Sequence, residues 1–198
     1  MIVTRQANKQ DINTIVEIHL ERFSNFFLTI LGKTFLKVFY KAFLKKPAIL
    51  LVIEDENAIK GFAAGSLHNK GFFKKLLLNN LLEFCLIGIK IALTNPFALK
   101  RIAVNVSKSE ENNIVYAELL SIATLQNKKG YGKILLEKFQ EELIKQNCNF
   151  PISLTTDYYD NAKAIDFYKN SGYEMLEIFY SYQNRKMYRF IKKNQLNI

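Results

Sequence analysis

Apolar residues recur at helical spacing in two stretches near the start of the chain. Ile12, Ile15, Val16 and then His19 or Leu20 mark one face of a helix that Asp11 is placed to cap. Phe35, Leu36, Phe39, Tyr40 and Phe43 form a wider stripe over 33–45, preceded by Gly32 and ended by Pro47. The aromatic segment 24–31 between them has no regular period. A short β-like opening over 1–5 comes before both helices.

The period then changes. Residues 49–53 read as a buried strand, 54–57 as a polar turn and 59–67 as a second strand, together a hairpin. Residues 72–93 are helix-like and apolar on most faces, Asn95-Pro96 marks a turn, and 97–106 reads as another short helix. The segment 114–124 is the strongest strand pattern. A helix over 131–146 follows it, with Leu135, Leu136, Phe139 and Leu143 on one side and Glu137, Lys138, Glu141 and Glu142 on the other. A strand over 152–155 and a helix over 161–170 come next, with Gly172 at the C-cap position. Strands over 173–180 and 187–191 flank a turn at 183–185. Strands alternating with helices and ending in a hairpin predict an α/β (α+β) fold, a mixed sheet with helices on both faces. No repeat, linker or domain boundary interrupts 1–198, so a single domain is expected.

The strand-to-helix junction carries the first candidate chemistry. It reads Glu118-Leu-Leu-Ser-Ile-Ala-Thr-Leu-Gln-Asn-Lys-Lys-Gly-Tyr-Gly-Lys. Gly130 and Gly132 permit positive φ and close backbone approach, and the first N–H groups of the next helix have no intrahelical partner. With the helix dipole and Lys128, Lys129 and Lys133 around it, this is an anion site suited to a pyrophosphate; an ordinary turn with solvated lysines has the same sequence. It is neither a Walker loop nor a Rossmann fingerprint, because both glycine spacings are absent.

A second block, Asn161-Ala-Lys-Ala-Ile-Asp-Phe-Tyr-Lys-Asn-Ser-Gly-Tyr-Glu, lies about 30 residues downstream. Together the two blocks resemble the GNAT superfamily of acyl-CoA-dependent N-acetyltransferases. The second resembles that family's motif through Asn161, Ala164, Phe167, Tyr168, Gly172 and Tyr173. The first resembles its acyl-CoA motif, in which Gln or Arg stands three residues before the first glycine. Asn127 occupies that position here, with Gln126 one residue earlier. The order of elements agrees over nearly the whole chain. Residues 68–112 do not, and resemble a family-specific helical insertion between the third and fourth strands of a mostly antiparallel sheet.

The resemblance implies transfer of acetyl from acetyl-CoA, the cosubstrate, to a primary amine by direct attack. Such chemistry needs a deprotonated amine, a polarised carbonyl and an acid for the departing thiolate. Tyr168 matches the family tyrosine that protonates sulfur; on composition alone it is a core aromatic. Glu118 matches a strand position where some members carry a general-base glutamate; otherwise it is a strand-end carboxylate facing solvent or a lysine. Strict alternation puts Glu118, Leu120, Ile122 and Thr124 on one face. The main chain of Ile122, Ala123 and Thr124 is expected to pair with the pantetheine arm. Asn127, Lys128, Lys129, Gly130, Tyr131, Gly132 and Lys133 are expected around the phosphates, and Asn161 contacts CoA or caps its helix. A non-catalytic GNAT-like module that binds CoA or a partner is the alternative. In such proteins the acceptor contacts the first two helices and the loop joining them, here 22–32. The block 21–33 vaguely resembles members linked to bacterial surface-glycan synthesis, which makes a nucleotide-linked amino sugar a candidate acceptor.

Charge then separates two regions. The net charge is +10, and residues 68–108 hold seven basic residues against the single acid Glu83. That basic, greasy insertion is read as a lid, a homodimer surface or a membrane-surface contact. Its apolarity on nearly every face favours burial against protein. No helix-turn-helix or alternation of aromatic and basic residues suggests nucleic acid. His19 and His68 are the only histidines, without clustered Cys or Asp, so no metal is expected, and His19 reads as a half-exposed structural residue. Two cysteines, Cys85 and Cys148, read as buried free thiols; with no apolar leader, a cytoplasmic protein is expected.

Overall fold

The computed structural model describes residues 1–24, 26–94, 114–125, 129–181 and 184–194, with the backbone alone for 90–94. Among these residues, strands β1 (Val3–Gln6), β2 (Ala48–Asp55), β3 (Ala58–Ser66), β4 (Ala117–Thr124), β5 (Ile152–Asp157), β6 (Glu174–Ser181) and β7 (Arg185–Lys192) form one sheet in the order β1-β2-β3-β4-β5-β7-β6. Every neighbouring pair is antiparallel except β4 and β5. The helices are α1 (Ile12–Arg22), α2 (Phe27–Ile30), α3 (Lys33–Ala42), α4 (Phe72–Leu78), α5 (Leu81–Thr94), α6 (Tyr131–Lys145) and α7 (Ala162–Asn170). This is the mixed, mostly antiparallel sheet with flanking helices that the sequence predicts, with α4 and α5 inserted between β3 and β4. The short helix expected over 97–106 lies outside the described residues.

Two apolar layers hold the helices to the sheet. On one face Ile15, Val16 and Ile18 of α1 and Leu36, Phe39 and Tyr40 of α3 pack on Val52 and Phe62. On the other, Tyr131, Leu135, Leu136, Phe139 and Leu143 of α6 pack on Leu51, Ile53, Ile152 and Leu154. Successive β2 residues thus feed opposite cores, as the two-residue period requires. Each fully buried Leu or Phe contributes about 1.5–3 kcal/mol.

Local signals explain the element ends. The hairpin turn between β2 and β3 places Glu56 and Asn57 at φ 53° and 60°, short polar residues on a tight left-handed turn. Asp11 does not cap α1 with its side chain. Asn8 accepts from the Gln10 N–H at 2.8 Å while its own N–H donates to Asp11 Oδ2 at 2.7 Å, so a capping box starts the chain one turn earlier. Arg5 pairs with both Asp11 and Glu54 and ties this box to the first hairpin.

The described part of the insertion, α4 and the start of α5, is half covered rather than buried all round. Asn79 and Asn80 break the predicted continuous helix into α4 and α5. On α5, Ile87 is buried, Phe84 meets Phe35 of α3 at 6.2 Å between ring centroids, and Glu83 accepts from Lys41 at 2.7 Å. Leu81, Leu82, Leu86 and Ile89 are exposed. Cys85 is exposed with them, so only Cys148 is the buried thiol expected. Among the described residues no helix is long and apolar enough to cross a membrane.

Two irregularities in β4 position the site. Ala64 pairs with Ser121 and Gly65 with Leu119, so Leu120 is an unopposed bulge residue. Strict alternation therefore fails: Leu120 packs toward α1 and α3, whereas Ile122 packs toward α6. Glu118 and Leu120 share one face, and Ile122 with Thr124 takes the other, correcting the single face expected. Past this point β4 and β5 separate. They pair only through Ala117–Ile152, Glu118–Ser153 and Leu119–Leu154, although β4 runs on to Thr124 and β5 to Asp157. The sheet opens there into a wedge between the two strands.

Candidate active site

A cleft of about 910 Å³ lies on the α6–α7 side of the wedge. Its walls are Ile122–Thr124 of β4, the start of α6 from Gly130 to Lys133, and Lys163, Ala164, Phe167, Tyr168, Asn170 and Ser171 from α7 and its end. The α6 start is built for anions. Gly130 is its N-cap at φ 73°, a conformation a β-carbon would strain, and it turns the chain so that the first free N–H groups of α6 face the cleft. Gly132 serves a different need: a Cβ there would stand 3.1 Å from the Phe167 ring, a tight contact that the ring would have to yield to. Two glycines therefore serve two needs, one backbone turn and one close helix–helix approach.

The residues around this start are partly engaged with the protein. The Tyr131 side chain turns into the core and its hydroxyl donates to Asp55 Oδ2 at 2.6 Å. Lys129 donates to the same oxygen at 3.4 Å, and Lys133 lies 3.9 Å from Glu137 in an exposed pair. The Tyr131 hydroxyl and then Lys129 hold the Asp55 carboxyl below the ordinary carboxylate range. Asn127 and Lys128, expected to contact phosphate, lie outside the described residues. Asn161 sits at the N-cap of α7 without a side-chain cap; its amide instead donates to Thr156 Oγ1 and to the Asp157 carbonyl, tying α7 to the end of β5. It does not line the cleft.

A second, smaller cleft of about 250 Å³ opens on the other side of the wedge. Its apolar wall comes from Phe23, Phe26, Phe27 and Leu28 between α1 and α2, with Met187 of β7 opposite. Asp157 and Arg185 stand at its rim as a two-contact ion pair, and the Arg185 guanidinium lies 4.7 Å from the Phe26 ring centroid. Phe26, Phe27 and Leu28, in a stretch aperiodic in sequence, thus join Phe23 in an apolar wall.

Ile122 and Tyr168 line both clefts. Tyr168 packs between Phe167, Tyr173 and Phe190, with ring centroids 5.3, 6.0 and 6.2 Å away. Burial pushes its phenol up to about 12, so the hydroxyl carries its proton at neutral pH. Glu118 is placed differently. It lies in the last paired stretch of β4, opposite Ser153, is half-buried, and lines neither cleft. Burial holds its carboxyl above the ordinary range, with the Arg189 charge acting in the opposite direction. The sequence reading did not single out Asp157 or Arg185 for this site; it set His19 on the helix whose end borders the acceptor site in similar proteins but took it as a half-exposed structural residue, whereas it is buried at 2% exposure.

Comparison with known proteins follows the same lines. The profile described as Acetyltransferase (GNAT) family matches residues 12–173. Among solved structures, a GNAT-family acetyltransferase of Desulfovibrio desulfuricans superposes with a TM-score of 0.64 at 10% identity, over 98% of this chain and 100% of that one. An acetyltransferase of Salmonella typhimurium with its cofactor acetyl-CoA gives a TM-score of 0.64 at 13% identity, over 99% and 95% of the two chains. The ribosomal-protein-S18-alanine N-acetyltransferase of Escherichia coli gives 0.60 at 14% identity, over 100% and 99%. No curated protein sequence matches the chain. At such identities the structural likenesses speak for the fold, while the matched span takes in both motif blocks and the wedge between β4 and β5: the chain belongs to the GNAT acetyltransferase family.

Proposed function

We propose that this protein is an acetyl-CoA-dependent N-acetyltransferase that acetylates a primary amine of a small molecule by direct attack. The observation that carries this reading is the meeting of two clefts at the separated strands, with Tyr168 and Ile122 common to both. The larger cleft fits the cosubstrate: the glycine-capped start of α6 suits phosphates, and β4 at Ile122 and Ala123, past its pairing with β5, suits an amide-bearing arm. When bound, acetyl-CoA supplies the thioester carbonyl that the amine attacks.

The protein's own residues then manage protons. Tyr168 delivers its phenolic proton to the departing sulfur as the carbon–sulfur bond breaks, and its burial keeps that proton available at neutral pH. Glu118 takes the proton that the amine loses as the new carbon–nitrogen bond forms. Because it lines neither cleft, it acts through water rather than by contact. Burial raises its carboxyl toward the pH at which a general base is effective. Lys129 and Lys133 add positive charge at the phosphate end, Lys129 after release from Asp55. The aromatic wall of the smaller cleft receives the body of the acceptor. A nucleotide-linked amino sugar, aminoglycosides, polyamines and peptide N-termini are the acceptors to compare.

The test is binding followed by turnover. Saturating acetyl-CoA, at about 100-fold over its Kd, raises Tm by roughly 5–10 °C for a domain of this size. Thiol release then appears with at least one amine class. Absence of acetyl-CoA binding overturns the reading; binding without thiol release from any amine favours a non-catalytic module.

A further inference from the structure

His19 combines features that a packed structural histidine does not need. It is buried, and its Nδ1 lies 2.6 Å from the Tyr40 hydroxyl, itself wholly buried on α3. The Ser121 side chain on β4, just beyond the bulge, stands near that hydroxyl and acts against the burial that raises the phenol. The His19 ring lines the smaller cleft together with Ser121, Ile122 and Tyr168. Its Nε2 is buried and has no hydrogen-bond partner among the described residues. Buried polar atoms are nearly always paired, so an unpaired ring nitrogen on a substrate cleft points to a ligand.

The Tyr40 contact leaves two neutral tautomers. A tyrosine hydroxyl has a single proton. Where His19 Nδ1–H donates to the Tyr40 oxygen, Nε2 is a bare lone pair; where Tyr40 donates to Nδ1, Nε2 carries the proton, and only the first can accept from an amine. The groups against the ring are Phe23 and Tyr40, with centroids 4.9 and 5.6 Å away, and neither carries a charge at neutral pH. Burial pushes the imidazole down to about 4, so it stays neutral in the working range. An attacking amine must also be neutral, with its lone pair toward the thioester and its N–H groups free to be held.

We propose that His19 positions the acceptor amine: the Nε2 lone pair accepts a hydrogen bond from the attacking nitrogen, while the Tyr40 hydroxyl at Nδ1 holds the ring in place. This deepens the N-acetyltransferase reading and rests on it. It assigns to the smaller cleft a primary amine that enters unprotonated, held on the side away from Tyr168's proton.

Two substitutions separate this role from a structural one. Asparagine places its amide where Nδ1 was and keeps the Tyr40 contact; glutamine reaches the Nε2 position and loses that contact. His19→Asn is expected to be the more stable variant and the less active, with kcat/KM for the best amine of a glucosamine, spermidine, kanamycin and phenethylamine panel down ~10–100-fold. His19→Gln is expected to recover part of that loss despite a lower Tm. Acetyl-CoA Kd is unchanged in both. Independently, the 15N spectrum of histidine-labelled protein without any amine is expected to show His19 protonated at Nδ1 and bare at Nε2. Activity that follows stability, or a proton on Nε2, overturns the proposal. Failure of acetyl-CoA to bind overturns the acetyltransferase reading itself. Binding without release from any panel amine overturns the His19 assignment, since the cleft would then take no amine. Thiol release that responds to Tyr168→Phe but not to His19→Asn overturns the assignment alone.

Discussion

The two clefts of this protein are made in opposite ways. The larger one is largely a backbone structure: a glycine N-cap at φ 73°, the free N–H groups that open α6, and the stretch of β4 past its pairing with β5. The smaller one is a side-chain structure, drawn from α1, α2, β4, β5 and β7, with Phe23, Phe26 and Phe27 walling it and His19 at its back. A backbone site tolerates few residues at few positions: Gly130 sits at φ 73°, where a β-carbon is strained, and a β-carbon at Gly132 would stand 3.1 Å from the Phe167 ring. A side-chain site can be rebuilt from many residues on many elements. The first is suited to a constant cosubstrate and the second to an acceptor that differs between relatives.

That contrast predicts which substitutions harm which half. The largest effect belongs to Tyr168, which serves both. Tyr168→Phe is expected to lower kcat for thiol release by ~10²–10⁴-fold, with acetyl-CoA Kd nearly unchanged in calorimetry. Next is Gly132→Val, whose β-carbon meets Phe167 at 3.1 Å and whose bulk crowds the α6 start. Its acetyl-CoA affinity should fall by ~100-fold, about 3 kcal/mol, and isothermal titration measures it. Phe26→Ala is expected to raise KM for the amine by ~10-fold while leaving acetyl-CoA binding intact, since Phe26 stands only in the smaller cleft. An equal loss of both affinities in any of these variants would break the comparison.

The pH dependence sharpens it further. His19 has a folded value lowered to about 4 by burial, against 6.5 in the unfolded chain. As pH falls the unfolded state takes the proton first, so the stability this neutral histidine allows is full above pH 6.5 and is lost as pH falls toward about 4. The loss is about 3 kcal/mol. Urea denaturation between these pH values should show it, and His19→Gln should flatten that slope. An unchanged slope in the variant would place the titration elsewhere.

The larger cleft was legible in the sequence for the same reason it is constrained. Gly130, Gly132, Phe167, Tyr168 and Gly172 stand at fixed spacings because one turn and one helix contact demand them, and the strand-to-helix order around them followed from periodicity. What could not be read was anything that depends on register between distant strands. The bulge at Leu120 arises from the Ala64–Ser121 and Gly65–Leu119 pairings, and it reverses the faces that alternation assigned to Ile122 and Thr124. Tyr131 reads as part of a phosphate loop, yet its hydroxyl finds Asp55, a residue 76 positions away. His19 reads as a helix-face histidine. Its isolation from any Nε2 partner among the described residues emerges only when α1, α3 and β4 are brought together. The exposed leucines of α5 show the converse: a helix apolar on nearly every face is covered on one side alone.

The central claim is that Tyr168 stands where the two clefts meet and acts in the chemistry rather than in binding. The most direct measurement pairs acetyl-CoA titration calorimetry with thiol release for the native protein and Tyr168→Phe. The account predicts an unchanged Kd with kcat reduced by ~10²–10⁴-fold. Equal turnover in the two proteins, or a loss of activity fully explained by weaker acetyl-CoA binding, would contradict it.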